Sequence, residues 1–385
     1  MKTLKSLALI CLGALLFVGC DPDNNDGEQN GTKGLILKAD KYEIYDNGED
    51  CATFRLTFNG QPVTEGYTIY DENDNPIEGN TFSSTEIGYY EFWAEYGAAI
   101  TKVNIGITVV ATPPAAPAAP ADKNPSKLNF HRRVMLLQFT GTGCQFCPYM
   151  VNALIELNEA KHYQTGEYLY KDKVILAAAH IGDFAGNDPA KMEEAKTIDD
   201  AFGITSYPSL VVDMHYGDIA PSYSDVSKVV DRAYNDVVAK GGIAANTEYH
   251  ADKNYVMVNA LVKAKETTEF RIGAMLLEDN ITGTQSINAN VPKKDGVNYN
   301  IHNNCIRKVK SQQPTDDFDF TGLTLGTIEA GKTKSQEFAF SLKNAWKSEN
   351  LHVVIFISTK ENGKWRINNI INAPINGSVD FEYAE

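Results

Sequence analysis

The chain has 385 residues, 22% of them charged and 43% hydrophobic, with 50 acidic against 35 basic side chains and a formal charge of −15. That acidity argues against a nucleic-acid partner, which needs a basic face. The length exceeds what one ordinary core serves, so two or three domains are expected.

Residues 1–20 read as a secretory signal. Lys2 and Lys5 give it a positive start, and Leu7 to Val18 form an apolar core of twelve residues. That core is too short for a bilayer span of about 20, and no later apolar run reaches that length. The segment ends in Leu16-Phe17-Val18-Gly19-Cys20. This resembles a bacterial lipobox, with Phe17 where Leu is usual, and the resemblance implies a lipid on Cys20; simple secretion is the alternative. Residues 21–33 open with Asp21-Pro22-Asp23-Asn24-Asn25-Asp26-Gly27-Glu28 and read as an acidic tether without structure. Acidic residues behind a lipidated cysteine resemble the surface-export signal of Bacteroidetes lipoproteins, whereas by the enterobacterial rule Asp21 would hold the protein at the inner membrane. We expect an outer membrane lipoprotein, anchored by its lipid at the periplasmic face or the cell surface. That space is oxidising and permits disulfides.

Residues 34–111 alternate. Phe54, Leu56 and Phe58 are interleaved with Thr53, Arg55 and Thr57, and Val103, Ile105, Ile107 and Val109 with Lys102, Asn104, Gly106 and Thr108. Turn signals fall at Asn47-Gly48, Asn59-Gly60 and Asp74-Asn75-Pro76. This predicts an N-terminal immunoglobulin-like β-sandwich. Asp71-Glu72-Asn73-Asp74-Asn75-Pro76 resembles the calcium-binding linker of cadherins. The partner acidic motifs are missing, and a polar hairpin turn is the simpler reading. Residues 112–126 hold Thr112-Pro113-Pro114-Ala115-Ala116-Pro117-Ala118-Ala119-Pro120-Ala121, a linker expected as a semi-rigid spacer of up to about 40 Å.

Residues 127–242 change rhythm. A strand over 134–140 runs into Cys144-Gln145-Phe146-Cys147-Pro148, and a helix is predicted from about Cys147 through Lys161. A second strand is expected over Val174 to Ala179 and a helix from Asp188 to Phe202, with Pro189 suited to its first turn. A further helix is expected from Tyr223 to Lys240, stopped by Gly241-Gly242. Strands alternating with helices make a βαβ arrangement. The cysteine pair would sit at the positive end of a helix, where thiol pKa values fall to about 3.5–7.5. That predicts Cys144 as a nucleophile and Cys147 as the thiol that resolves what it captures.

Strand, C-x-x-C, helix, strand, helix and then Ile204-Thr205-Ser206-Tyr207-Pro208-Ser209 before a strand resembles the thioredoxin fold. The resemblance implies a central thioredoxin-like α/β domain and a cis Pro208 against the active-site disulfide. It also implies that the backbone of Tyr207 pairs with substrate peptide. Phe146, between the cysteines, is a candidate substrate contact. The pattern departs from thioredoxins at Gly143, where Trp is usual, and at Gln138, where a buried Asp often assists proton transfer. His180 ends the second strand, at the carboxyl edge where open α/β sheets place their sites. It is a candidate auxiliary to the thiols, with a hydrogen-bonded structural role as the other reading.

Residues 243–385 return to strands. Val256, Val258, Ala260 and Val262 alternate, as do Phe338, Phe340 and Leu342. Leu351 to Ser358 is expected to pair with Trp365 to Ile371 across Glu361-Asn362-Gly363-Lys364, completing a C-terminal β-sandwich. Cys51 and Cys305 read as small buried hydrophobes, with an interdomain disulfide as the alternative. His302 and Cys305 are spaced like metal ligands but lack a second pair, so neither a metal nor another cofactor is expected. The layout, with Asn300-Ile301-His302-Asn303-Asn304-Cys305-Ile306-Arg307-Lys308 after Tyr299, resembles the outer membrane protein 28 family of lipoproteins. The resemblance leaves two functions open. One is a membrane-anchored thiol–disulfide oxidoreductase acting on protein or peptide thiols and disulfides, with an unidentified redox partner. The other is a surface binding or adhesion lipoprotein that uses the thioredoxin-like domain as scaffold.

Overall fold

The computed structural model describes residues 34–181, 187–192, 195–313, 316 and 318–384. The signal, Cys20 and the acidic tether lie outside the described residues. Among these residues, no helix is long and apolar enough to cross a membrane.

The N-terminal unit contains β1 (Leu35–Ala39), β2 (Glu43–Tyr45), β3 (Ala52–Phe58), β4 (Gln61–Val63), β5 (Tyr67–Asp71), β6 (Thr81–Phe82), β7 (Gly88–Tyr96), β8 (Ala99–Ile100) and β9 (Ile105–Val110). β1, β3, β4 and β6 form one sheet, and β2, β9, β7, β5 and β8 the other. Their inward residues, Leu37, Phe54, Leu56, Phe92, Ile107 and Val109 among them, close one core. Alternation predicted this because each sheet is apolar on one face only. Val103 breaks the expected run: it precedes β9 and is 75% exposed. The Asp71 turn is a polar hairpin, whose carboxylate accepts from the Asn73 and Asn75 N–H groups and from Asn75 Nδ2. Cys51 and Cys305 are free thiols, and Cys305 is fully buried, with burial pushing its pKa up.

The proline-rich segment is docked along the C-terminal sheets. Asn246 Nδ2 and Asn259 Nδ2 donate to the Ala118 and Pro117 carbonyls at 2.8 and 3.0 Å. The fully buried Lys263 ammonium reaches Asp122 and the Asn124 and Pro125 carbonyls. A polyproline-like chain leaves its carbonyls unpaired within itself, and these side chains satisfy them.

Next come β10 (Val134–Thr140), α1 (Cys147–Glu159), β11 (Val174–His180), α2 (Ala195–Ala201), β12 (Ser209–Val212) and α3 (Tyr223–Asp236). β10 pairs parallel to β11 and antiparallel to β12. Two expected helices are shorter than their signals. Asp188 and Pro189 do not open α2, because the Asp188 carboxylate accepts from Thr142 N and Ala190 N and meets His180. α3 ends at Asp236, and Gly241-Gly242 begin a strand instead of stopping a helix. A Cβ on Gly242 would lie 2.2 Å from the Phe130 ring, so close approach explains that glycine.

The remaining strands are β13 (Gly241–His250), β14 (Tyr255–Ala264), β15 (Thr268–Glu278), β16 (Ile281–Thr282), β17 (Ile301–His302), β18 (Cys305–Lys310), β19 (Leu323–Ile328), β20 (Thr333–Ser341), β21 (Leu351–Glu361), β22 (Lys364–Pro374) and β23 (Ser378–Val379). A four-stranded sheet, β20-β14-β13-β23, packs on β15 and β21 through Val256, Val258, Phe270, Ile272, Val353 and Ile355. The other sheet runs β12-β10-β11-β18-β15-β21-β22, with β19 also paired to β15. It therefore crosses the expected boundary at residue 242, through parallel pairing of Ala178 with Cys305. The sheet curls back on itself: Met135, Leu137 and Phe139 share a core with Val354, Phe356, Ile367 and Ile370. The opposite face of β10 packs on α1 and α3 through Leu136, Met150, Leu154, Val226 and Val230.

Candidate functional site around the C-x-x-C pair

β10 is buried along its whole length and delivers the chain to a tight loop at the carboxyl edge of the sheet. There Cys144 N donates to the Gly141 carbonyl at 3.1 Å and Cys147 N to the Cys144 carbonyl at 3.2 Å. Cys144 and Cys147 are joined in a disulfide, Cα atoms 5.4 Å apart. α1 starts at Cys147 with Pro148 in its first turn. Its N-cap, Phe146, makes no side-chain cap bond, and its first turn carries no acidic residue. Cys147 N and Tyr149 N are taken by the Cys144 and Phe146 carbonyls and Pro148 has no N–H, so it is the helix dipole that would favour a thiolate once the bond is reduced.

The Phe139–Ser209 register sets Pro208 beside the end of β10 that leads into this loop. The Tyr207–Pro208 peptide is cis. Tyr207 donates its hydroxyl to Asp199 Oδ2 at 2.5 Å, and burial raises the pKa of Asp199. Phe146 projects at 45% exposure, whereas Cys144 is 6% exposed and Cys147 fully buried.

What covers the cysteines comes from 140 residues later. Ser286 N donates to the Thr142 carbonyl at 2.8 Å and Asn288 N to the Gln145 carbonyl at 2.9 Å. Gln285 Nε2 donates to the Cys144 carbonyl at 2.9 Å, and Asn288 Nδ2 to Gln145 Oε1 at 3.1 Å. Tyr149 and Asn152 of α1 hold the far end through the Asn290 and Pro292 carbonyls. A Cβ on Gly283 would lie 2.8 Å from Pro189 and 3.1 Å from Thr142. Glycine there lets this strap, residues 283–292, lie flat on the loop. It was not foreseen, since its sequence shows no periodicity and its partners are remote.

His180 is tied to the loop indirectly. Its Nδ1 lies 3.0 Å from Asp188 Oδ2, the oxygen that also accepts from Thr142 N at 2.8 Å. Burial opposes the Asp188 charge, but the His180 and N–H contacts outweigh it and hold its pKa well below the usual carboxylate range. The His302 ring stands edge-on to His180 at 5.1 Å, and its Nε2 lies 3.0 Å from the Gly283 carbonyl. Burial, then the charge of His180, lowers the His302 pKa. His302, Asp188 and Gln285 are thus the site residues that sequence reasoning missed. Only the Asn300–Lys308 pattern pointed toward this corner.

Among known proteins, the family model for outer membrane protein Omp28 matches residues 195–378. That span takes in Pro208 and the strap but not the cysteine pair. No curated protein matches the chain. Two solved structures from Porphyromonas gingivalis resemble it distantly. HBP35 is 18% identical over 67% of this chain and 79% of its own, at a TM-score of 0.49. A domain of the outer membrane lipoprotein Omp28 is 15% identical over 36% of this chain and 89% of its own, at a TM-score of 0.23. The match relates residues 195–378 of this chain to the Omp28 family of outer membrane proteins.

Proposed function

We propose that this protein is a surface-facing binding lipoprotein of the outer membrane, anchored through Cys20, in which a thioredoxin-like α/β layer serves as scaffold and the Cys144–Cys147 disulfide as a fixed cross-link. The observation that carries this reading is the strap. Residues 285–288 lie hydrogen-bonded along the C-x-x-C loop and leave Cys144 only 6% exposed, where an oxidoreductase needs its attacking thiol accessible. The N-terminal sandwich supplies a surface for a partner: Tyr42, Ile87, Tyr89, Ile100 and Val103 are all more than 40% exposed there. The order β10, α1, β11, β12 and the cis Tyr207–Pro208 peptide support the thioredoxin-like description of the layer. The test is the midpoint potential of the Cys144–Cys147 bond, together with capture of partners by a Cys147→Ala variant. A potential below about −300 mV, the range of structural disulfides, and no trapped mixed disulfides are the expected results. A potential near those of thioredoxin or glutaredoxin, with clients captured on Cys144, overturns the reading.

One observation favours the second reading, a membrane-anchored thiol–disulfide oxidoreductase: the uncapped start of α1 at Cys147. In that chemistry the Cys144 thiolate attacks a substrate disulfide, one substrate thiolate leaves and a mixed disulfide forms. Cys147, as thiolate, then displaces the second substrate thiolate, closing the Cys144–Cys147 bond. The two electrons pass from the dithiol to the substrate. The reading requires the strap to lift.

A further inference from the structure

A cavity of about 830 Å³ lies beside α1, over the face of β10 and β11 that turns away from the inner core. Its floor is three registered rungs across the two strands: Leu136 with Leu176, Gln138 with Ala178, and Thr140 with His180. The rungs grade from apolar to polar. From Val174 to His180 the floor is about 20 Å long at ~3.3 Å per residue. Val151, Leu154 and Ile155 of α1 form one wall, at the i, i+3, i+4 spacing of a single helix face. Val297, Tyr299 and Ile301 form the other. Ala178 is what leaves the space open, because a larger side chain on that rung would fill the centre.

The polar end is built. His180 is 2% exposed, and its Nδ1 lies 3.0 Å from Asp188 Oδ2. Gln138, Gln285 and His302 stand around it. No lysine or arginine lines the cavity among the described residues, and the one acidic lining residue, Glu159, ends α1 at the opposite mouth. An anionic head would find no lysine or arginine and would face the Asp188 carboxylate behind His180, while a hydroxyl, carbonyl or amide would find both donors and acceptors. The volume falls within the ~300–1,000 Å³ of small-molecule sites, which combine apolar walls with a few convergent polar groups.

We propose that this cavity binds an elongated aliphatic molecule with an uncharged polar head, the chain lying over Leu136, Leu154 and Leu176 and the head at Gln138 and His302. The site is independent of whether the disulfide turns over. The mature chain is titrated with N-phenyl-1-naphthylamine, followed by its fluorescence, and the probe is displaced with 1-octanol, 1-decanol, 1-dodecanol or decanoate. Expected are one site per chain, affinity rising about three- to fourfold per methylene, and decanoate at pH 8 at least tenfold weaker than 1-decanol. Ile155→Trp, at a half-buried helix position, and Ala178→Leu should each weaken 1-decanol at least tenfold while the protein still melts cooperatively. If Ala178→Leu fails to fold, Ile155→Trp decides. Binding without chain-length dependence, or unchanged in a folded Ile155→Trp variant, overturns the site. Decanoate binding as tightly as 1-decanol overturns the uncharged head.

Discussion

Between the N-terminal sandwich and the C-terminal sheets, the joint is made of side chains. Glu43 meets Lys308 and Lys310, and Tyr255 donates its hydroxyl to the Ala111 carbonyl at 2.5 Å. The linker behind it is held by Asn246, Asn259 and Lys263. Between β11 and β18 the joint is backbone, with Ala178 N donating to the Asn304 carbonyl at 2.8 Å and a parallel register at Cys305. The first joint can be released by titration or substitution at a few positions. The second opens only with the sheet. Two regions that composition alone divides from the C-terminal part are thus attached by different physics, and only one is separable.

Five experiments probe that difference and the disulfide loop. Lys263→Ala strips the buried cation from Asp122 and two linker carbonyls, and breaking such a buried pair costs about 3–5 kcal/mol. Urea unfolding should show the loss, and limited proteolysis should then cut within 112–126. Glu43→Gln removes the carboxylate that two lysines share, worth about 1.5–3 kcal/mol for charged hydrogen bonds. It should free the N-terminal sandwich while leaving the β11–β18 joint intact, seen as separate melting transitions in calorimetry.

The same carboxylate sets a pH window. Burial opposes its charge, but Lys310 and Lys308 lower its pKa from 4.5 to about 2. Its docking contribution is therefore complete above about 4.5 and is lost as pH falls toward about 2. Small-angle scattering across that window should show the N-terminal unit swing out, and Glu43→Gln should abolish the acid transition. Cys144→Ser with Cys147→Ser removes a cross-link closing four residues, and loop entropy puts the cost at about 2 kcal/mol. The smallest effect belongs to Asn288→Ala, which loses the bond to Gln145 for about 1 kcal/mol. It should nonetheless speed reduction of the disulfide by dithiothreitol, since the strap that shields Cys144 is loosened.

Legibility in the sequence followed the range of the interactions. β3 and β9 could be read from alternation because one face of each is solvated, and Asn362-Gly363 marked the β21–β22 turn, where both residues adopt positive φ. β10 and β21 are buried on both faces, so the run of apolar residues located them but not their neighbours. Asp188-Pro189 carried a local helix-start signal that a remote partner, Thr142, overrode. The cysteine pair and Pro208 stood out as motifs, whereas the strap, the His180–Asp188–Thr142 link and the docked linker depend on contacts between residues far apart in sequence. The sheet running past residue 242 was hidden for the same reason, since one pairing at Ala178 joins segments 127 positions apart.

That single pairing governs how the molecule can be divided. A fragment ending at 242 would bare the β11 edge at Ala178, whose N–H would lose the Asn304 carbonyl, beside an apolar inner face. Such an edge recruits another strand. The severed C-terminal part would in turn uncover Cys305, a thiol that is fully enclosed in the intact chain. Fragments made there would self-associate or oxidise, so the C-x-x-C layer can be assayed faithfully only with its C-terminal partner strands attached.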